Sequence, residues 1–255
     1  MSQPWKARAE RWLLPAIVTL YLVLGTLYAV YTPDWQAPDE PAHYNFVRYV
    51  AQQHRLPVLK WGDYPAAYLE ELKAAHFPPE MSIEPIRYEF HQPPLYYLLA
   101  APVYGLSGGA LLPLRLLSLA LGALLLLVVC WTVRELVPNQ PGLALGATAF
   151  VAFLPMHVAM TAAASNDTLA ELIMAIILLL SVRYLKRPTS PEAEAEGARF
   201  LVLLGVAAGL GLVSKCSVFV AVPLVVFAIG VRYFWLSPAP LSARRALYAL
   251  TLYLL

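Results

Sequence analysis

The chain reads as an all-α polytopic membrane protein, and three observations set that class. Hydrophobic residues make up 60% of its 255 positions and charged residues only 13%, with a mean hydropathy of +0.61. A soluble domain carries about 25% charged residues. The apolar residues fall in separate runs, several of them long enough for a hydrocarbon core about 30 Å thick. Lys and Arg collect at alternate connections between those runs, as in a multi-pass helical protein.

Residues 12–31 form the first run. Lys6, Arg8 and Arg11 precede it, as in a signal peptide. Its length suffices to span, however, and no small-x-small cleavage pattern follows, so it reads as a retained helix. An outer loop is expected over 32–110. Within it, Pro38-Asp39-Glu40-Pro41 reads as a helix start: Asp is a good N-cap and Pro is tolerated in the first turn. The helix is expected over 41–54. Phe46, Val47, Val50 and Ala51 make an apolar stripe opposite Asn45, Arg48, Gln52 and Arg55, the pattern of a helix lying in the membrane interface. Residues 61–89 show no periodicity and read as an irregular, mobile loop. Residues 95–106 are apolar but too short to span, and read as an interfacial or re-entrant element.

Further spans are expected at 111–133, closed by Arg134; at 141–160, with Pro155 and His157 near its end; at 167–185, closed by Lys186 and Arg187; at 199–213; and at 216–235, with Pro223 inside. A polar linker carrying Glu192, Glu194 and Glu196 is expected over 188–197. The last run, 246–255, is too short to cross and reads as an incomplete seventh span. The chain therefore reads as the N-terminal portion of something longer, or as a truncated reading frame.

The net charge of +2 and the lack of any basic run argue against a nucleic-acid partner. Cys130 and Cys216 each sit in an apolar run, which supports neither a disulfide framework nor a Cys-x-x-Cys metal site. Lys and Arg near the N-tail, Arg134, the 186–199 linker and Arg232/Arg244/Arg245 place those ends in the cytoplasm. The N-terminus is then inside. Asp39, Glu40, His43, His91, Arg115, His157, Asp167 and Lys215 all fall at the outer ends of spans or in the outer loop. Ionisable residues at membrane depth usually face a cavity and mark a site.

On these residues a family comes into view. A first span followed by Asp39-Glu40 resembles the GT-C superfamily of polyprenyl-phosphate-dependent glycosyltransferases, closest to its protein O-mannosyltransferase and aminoarabinose-transferase branch. His91-Gln92-Pro93-Pro94-Leu95 resembles the His-Pro-Pro-Leu stretch of the mannosyltransferases, with a Gln inserted. Ala164-Ser-Asn-Asp-Thr-Leu169 resembles the second acidic motif at the fourth span, and Gly211-Leu-Val-Ser-Lys215 the lysine-bearing turn that closes the fifth.

The resemblance implies a GT-C-like helical bundle that moves a sugar from a polyprenyl-phosphate donor to an acceptor hydroxyl on a lipid, glycan or protein. It implies an integral plasma (inner) membrane location with the site facing the periplasm or exterior. Such a transfer needs a base within reach of the acceptor hydroxyl and cations aimed at the leaving phosphate. Asp39 is then the general base, against the alternative of a plain N-cap. Glu40 supports Asp39 or a metal, and Asp167 is the second acid; the alternative for both is a first-turn acid facing the helix dipole. Lys215 and Arg115 are expected to bind the lipid phosphate, the alternative for Lys215 being a side chain that snorkels to the interface. His91 and His43 are expected on phosphate or metal. Asp39 and His43, four residues apart on one helix face, are candidate ligands for a divalent cation. A transporter or lipid-carrier flippase, and an inactive family member, are the competing classes.

Overall fold

The computed structural model describes residues 4–187, 191–236 and 243–254. Those residues are all helix, turn and loop, with no strand among them. The helices are α1 (Pro4–Tyr31), α2 (Glu40–Gln53), α3 (Ala66–Ala74), α4 (Leu95–Leu106), α5 (Leu111–Leu136), α6 (Pro141–Ala152), α7 (Pro155–Thr161), α8 (Asp167–Lys186), α9 (Pro191–Leu212), α10 (Ala221–Phe234) and α11 (Ala243–Leu254). Short 3-10 turns cover Tyr88–His91 and Cys216–Val220.

Trp12–Tyr31, Leu111–Leu136, Asp167–Lys186 and Cys216–Phe234 are long and apolar enough to cross a membrane. The expected single span at 141–160 is broken instead. α6 and α7 meet at 65°, because Pro155 has no N–H to continue the ladder and holds Leu154 in an extended conformation. The expected span at 199–213 is the C-terminal part of α9, and its apolar stretch Gly197–Leu212 is short of a full crossing. α9 starts at Pro191, so the acids expected in a linker belong to a helical segment, while 188–190 lie outside the described residues. The span expected at 216–235 opens as a 3-10 turn before α10, where Pro223 sits in the first turn and needs no hydrogen bond. α11 replaces the expected 246–255 run, whose Leu255 lies outside the described residues.

α5 is the hub, touching α1, α4, α6, α7 and α8. Close approach at its α1 face depends on missing side chains: a Cβ on Gly122 would fall 2.0 Å from Tyr21 Oη, and one on Gly25 2.2 Å from Leu119. Outward faces of the long helices stay apolar and exposed, with Leu27, Leu124, Phe150 and Phe227 among them. Exposed apolar surface on that scale is what a lipid-facing bundle presents.

The segment between α1 and α5 is more ordered than its composition suggests. The stretch expected to be a mobile loop contains α3, and Leu69 and Leu72 pack with Ala42 and Ile86 in a small core of their own. The α2 stripe also has another destination than the interface. Phe46, Val47 and Val50 are buried in protein, and Phe46 stacks on Tyr97 of α4 at 3.6 Å between ring centres. Asn45, expected on the polar face, is buried and donates to the carbonyls of Ile83 and Ile86, both at 2.7 Å.

Candidate active site

Asp39 stands at the N-cap of α2 with φ +58°, a left-handed conformation that Asp tolerates better than most residues. An N-cap carboxylate normally accepts a bond from the first-turn amides. Here those amides, of Ala42 and His43, go to the Asp39 carbonyl oxygen at 3.1 Å each, and the side chain makes no capping bond. Its Oδ1 accepts from Tyr88 Oη at 2.6 Å instead. The carboxylate is exposed and lines a cleft of about 330 Å³ shared with Trp35, Lys73, Phe77 and Tyr88. Burial and the Asp39 charge push the Tyr88 phenol up, so it remains a donor.

Glu40, one residue on, points the other way. It is 0% exposed and pairs with Arg115, 2% exposed, through Nε–Oε1 at 2.8 Å and Nη2–Oε2 at 2.6 Å. Arg115 also donates to the carbonyls of Ala29, Thr32 and Pro33 at 2.8, 2.7 and 3.2 Å. All five guanidinium N–H groups are thus engaged, leaving none for a phosphate in this arrangement. Glu40 Oε1 accepts a further bond from the Ala164 amide at 3.1 Å. One ion pair therefore ties together the end of α1, the start of α2, the first turn of α5 and the approach to α8.

Asp167, the first residue of α8, is ion-paired with Lys215, which stands on the turn after α9. Ser165 Oγ contacts Asp167 Oδ2 at 3.3 Å. Asp167 lies at the head of a groove of about 510 Å³ whose walls carry Leu125, Val151, Met174 and Leu178. Glu171 and His157 also line it, 3.7 Å apart. The groove is polar at the start of α8, at Asp167 and Glu171, and apolar further along, at Met174 and Leu178.

The turn Tyr88–His91 lies between the two clefts. Tyr88 holds Asp39. Gln92, four residues later, accepts from Asn166 Nδ2 at 3.4 Å, and the same amide group donates to the Ser214 carbonyl at 3.1 Å. At 2 Å per residue that turn is about 8 Å long. His91 is exposed, with Nδ1 donating to the Tyr88 carbonyl at 2.7 Å. His43 is buried beneath, its Nδ1 hydrogen-bonded to Tyr97 Oη at 2.8 Å. Burial pulls the His43 imidazole down to about 4; the charges of Asp167 and Asp39 oppose that shift, and those of Lys215 and His91 add to it. One buried ring thus feels Asp39, Asp167, Lys215 and His91 together.

Asp39, His43, His91, Asp167 and Lys215 gather around this turn, although Asp39 and Asp167 open into different clefts. Of the suggested metal candidates Asp39 and His43, the histidine bonds Tyr97 in the interior while the carboxylate lines the cleft. Among the described residues, no three His, Cys, Asp or Glu side chains are grouped to hold a metal. Three participants were missed in the sequence. Tyr88 was one tyrosine among many in the outer loop. Glu89 is buried with Oε2 unpartnered, and burial raises its carboxyl above the usual range. Asn166 passed as a neighbour of Asp167, although a buried amide between two turns is what joins them.

No curated protein and no solved structure matches the chain. Residues 91–254 match the profile of the dolichyl-phosphate-mannose-protein mannosyltransferase family. The match takes in His91, Arg115, Asp167 and Lys215, and begins after Asp39, Glu40 and His43. Since it covers more than half of the sequence, the chain belongs to that family of GT-C membrane glycosyltransferases.

Proposed function

We propose that this protein transfers a sugar from a polyprenyl-phosphate donor to an acceptor hydroxyl at the extracytoplasmic face of the plasma membrane, with Asp39 as general base. The observation that carries the reading is the 88–92 turn. It links an exposed carboxylate with no capping duty to the head of an apolar groove, where Asp167 is ion-paired with Lys215.

The isoprenoid chain lies in the groove along α8, and its phosphate reaches Lys215. The acceptor enters the cleft beside Trp35 and Tyr88. Its hydroxyl gives a proton to Asp39 while its oxygen attacks the anomeric carbon. The bond from that carbon to the lipid phosphate breaks, and the phosphate leaves with the electron pair. Lys215 and His91 stabilise the charge that grows on the leaving oxygens. Asp167 orients Lys215 between turnovers and yields it to the donor phosphate. Glu40 and Arg115 act as positioning residues that fix the backbone beside Asp39.

The test is transfer of label. Membranes holding the full chain are incubated with radiolabelled polyprenyl-phosphate sugars, and label is followed into acceptor. Asp39→Asn keeps the shape and removes the base, so transfer should fall by about 100-fold or more. Unchanged transfer in that variant removes Asp39 as base. Movement of a solute with no consumption of any lipid-linked sugar makes the protein a transporter.

A further inference from the structure

A second groove lies away from the acids, between α2 and α4. Its volume is about 530 Å³, and Val50, Ala51, Leu98, Ala101 and Pro102 form its apolar walls. At its mouth stand His54, Arg55 and Leu56. Arg55 and Leu56 also line an adjoining cleft of about 380 Å³ with Lys60, Asp63 and Arg87. The two cavities share that edge, so a long apolar slot opens directly onto a basic rim.

The charges on the rim do not cancel. Asp63 is its one carboxylate, and it accepts from the Lys60 main-chain N–H at 2.6 Å. Arg87 is bound to Glu84 at 3.2 Å. Arg55 lies 5.7 Å over the Tyr49 ring, and neither Arg55 nor the Lys60 ammonium has a carboxylate partner among the described residues. Beyond the rim, the turn after α2 presents Val58, 74% exposed, and Trp61, fully exposed. Trp at such a place is a headgroup-level anchor. On the other side, Leu98 and Leu99 of α4 are about half exposed. α4 begins on the Val213 carbonyl at 2.8 Å and leads into α5, so this surface belongs to the end of the bundle where α5 and α8 start.

From this arrangement we infer that the α2–α4 groove is a binding site for an anionic phospholipid of the surrounding leaflet. An acyl chain fills the slot, and the phosphate sits between Arg55 and Lys60. The charge complement selects this occupant: a neutral apolar partner leaves both cations unmatched, and a soluble anion leaves the slot unfilled. The lipid braces α2, the helix that carries Asp39 at its other end. The inference does not depend on the transfer reaction, because the groove shares no residue with either active-site cleft.

The experiment uses the full chain, stripped of lipid in neutral detergent. Phosphatidylglycerol and phosphatidylcholine with identical acyl chains are titrated, and bound lipid is counted by native mass spectrometry. Phosphatidylglycerol should bind more tightly by about thirty-fold, the effect of two cations at an anionic headgroup. Arg55→Gln with Lys60→Gln should abolish that preference and leave phosphatidylcholine binding unchanged. Ala101→Phe, which fills the slot and keeps the rim, should weaken phosphatidylglycerol about tenfold. On the unaltered chain, 0.5 M salt should weaken phosphatidylglycerol and not phosphatidylcholine, a readout that stands if a variant fails to fold. Equal binding of the two lipids, preference kept in the double variant, or displacement by millimolar inorganic phosphate would overturn the inference. Displacement by polyprenyl phosphate would assign the groove to the donor instead.

Discussion

Tyr88 holds the Asp39 carboxylate, and the His43 ring responds to the charges around it. Among the described residues, the Tyr88 hydroxyl is the one hydrogen-bond donor on the Asp39 carboxylate, and a bond to a charged acceptor is worth about 1.5–3 kcal/mol. Tyr88→Phe leaves the ring in place and frees the carboxylate to rotate. Transfer should fall about tenfold, with stability falling by no more than the worth of that bond, measured by label transfer and by unfolding in detergent. His43 makes a prediction about pH. Its native value of about 4 lies below the ordinary 6.5, so between those values the unfolded chain holds a proton that the native chain does not. Stability therefore falls as pH drops from 6.5 towards 4 and is flat above 6.5. The full drop is on the order of 3 kcal/mol. Asp167, Asp39, Lys215 and His91 all act on this ring, so the decisive comparison is His43→Gln: its melting temperature should lose less than that of the unaltered chain between pH 7.5 and pH 4.5. An identical loss would assign the acid sensitivity to another group.

Between elements, the buried Glu40–Arg115 pair joins four separate segments, and its energetics have a distinctive pattern. Truncating either partner leaves the other charge buried and alone, at a cost of about 3–5 kcal/mol. Replacing both with apolar residues of like volume removes both desolvation penalties. Arg115→Met and Glu40→Leu should each lower detergent-solubilised yield and melting temperature sharply, while the double variant should lie above both singles. Additive losses would show that the carbonyl contacts of Arg115, rather than the pair, hold the segments. Gly122 makes a second such junction. Its missing Cβ leaves room for the Tyr21–Thr161 bond at 2.8 Å, which fastens α1 to α7, so Gly122→Ala should destabilise by about 1–3 kcal/mol. These junctions mark where the sequence could be read and where it could not. The helix at Asp39 was legible from Asp-Glu-Pro, as were α1, α5 and α8 from their uninterrupted apolar runs. α3 was not, because its apolar positions are few and its core is completed by Ala42 and Ile86 from distant positions. The break at Pro155 was visible as a proline but not as a 65° turn, since apolar composition is the same on either side of it.

Across the whole molecule, the placing of the ionisable residues at helix ends and in the loops between apolar runs was legible in the sequence, while their partners were not. Adjacent letters such as Asp39 and Glu40 point to an open cleft and to a sealed ion pair, and no local pattern distinguishes those fates. Arg115 looked available because sequence does not reveal three carbonyls converging on it. The groove was equally hidden, since its walls come from α5, α6, α7, α8 and the 216–220 turn. It offers the sharpest test of how the molecule divides its labour. Ala175 lines the groove two helical turns beyond Asp167, about 12 Å along the axis at 1.5 Å per residue. Ala175→Phe narrows the slot two turns away from Asp167, Lys215 and the 88–92 turn. If the groove holds the isoprenoid chain, the variant should raise the KM for the lipid-linked donor about tenfold with kcat preserved, the mark of lost binding common to ground and transition states. It should also discriminate by chain length: a donor carrying a short prenyl chain that ends before Ala175 should be used equally well by both proteins. Asp39→Asn should show the opposite pattern, a fall in kcat for long and short donors alike. A loss of kcat in Ala175→Phe, or equal losses for both chain lengths, would mean that the lipid runs elsewhere and that the groove along α8 serves packing alone.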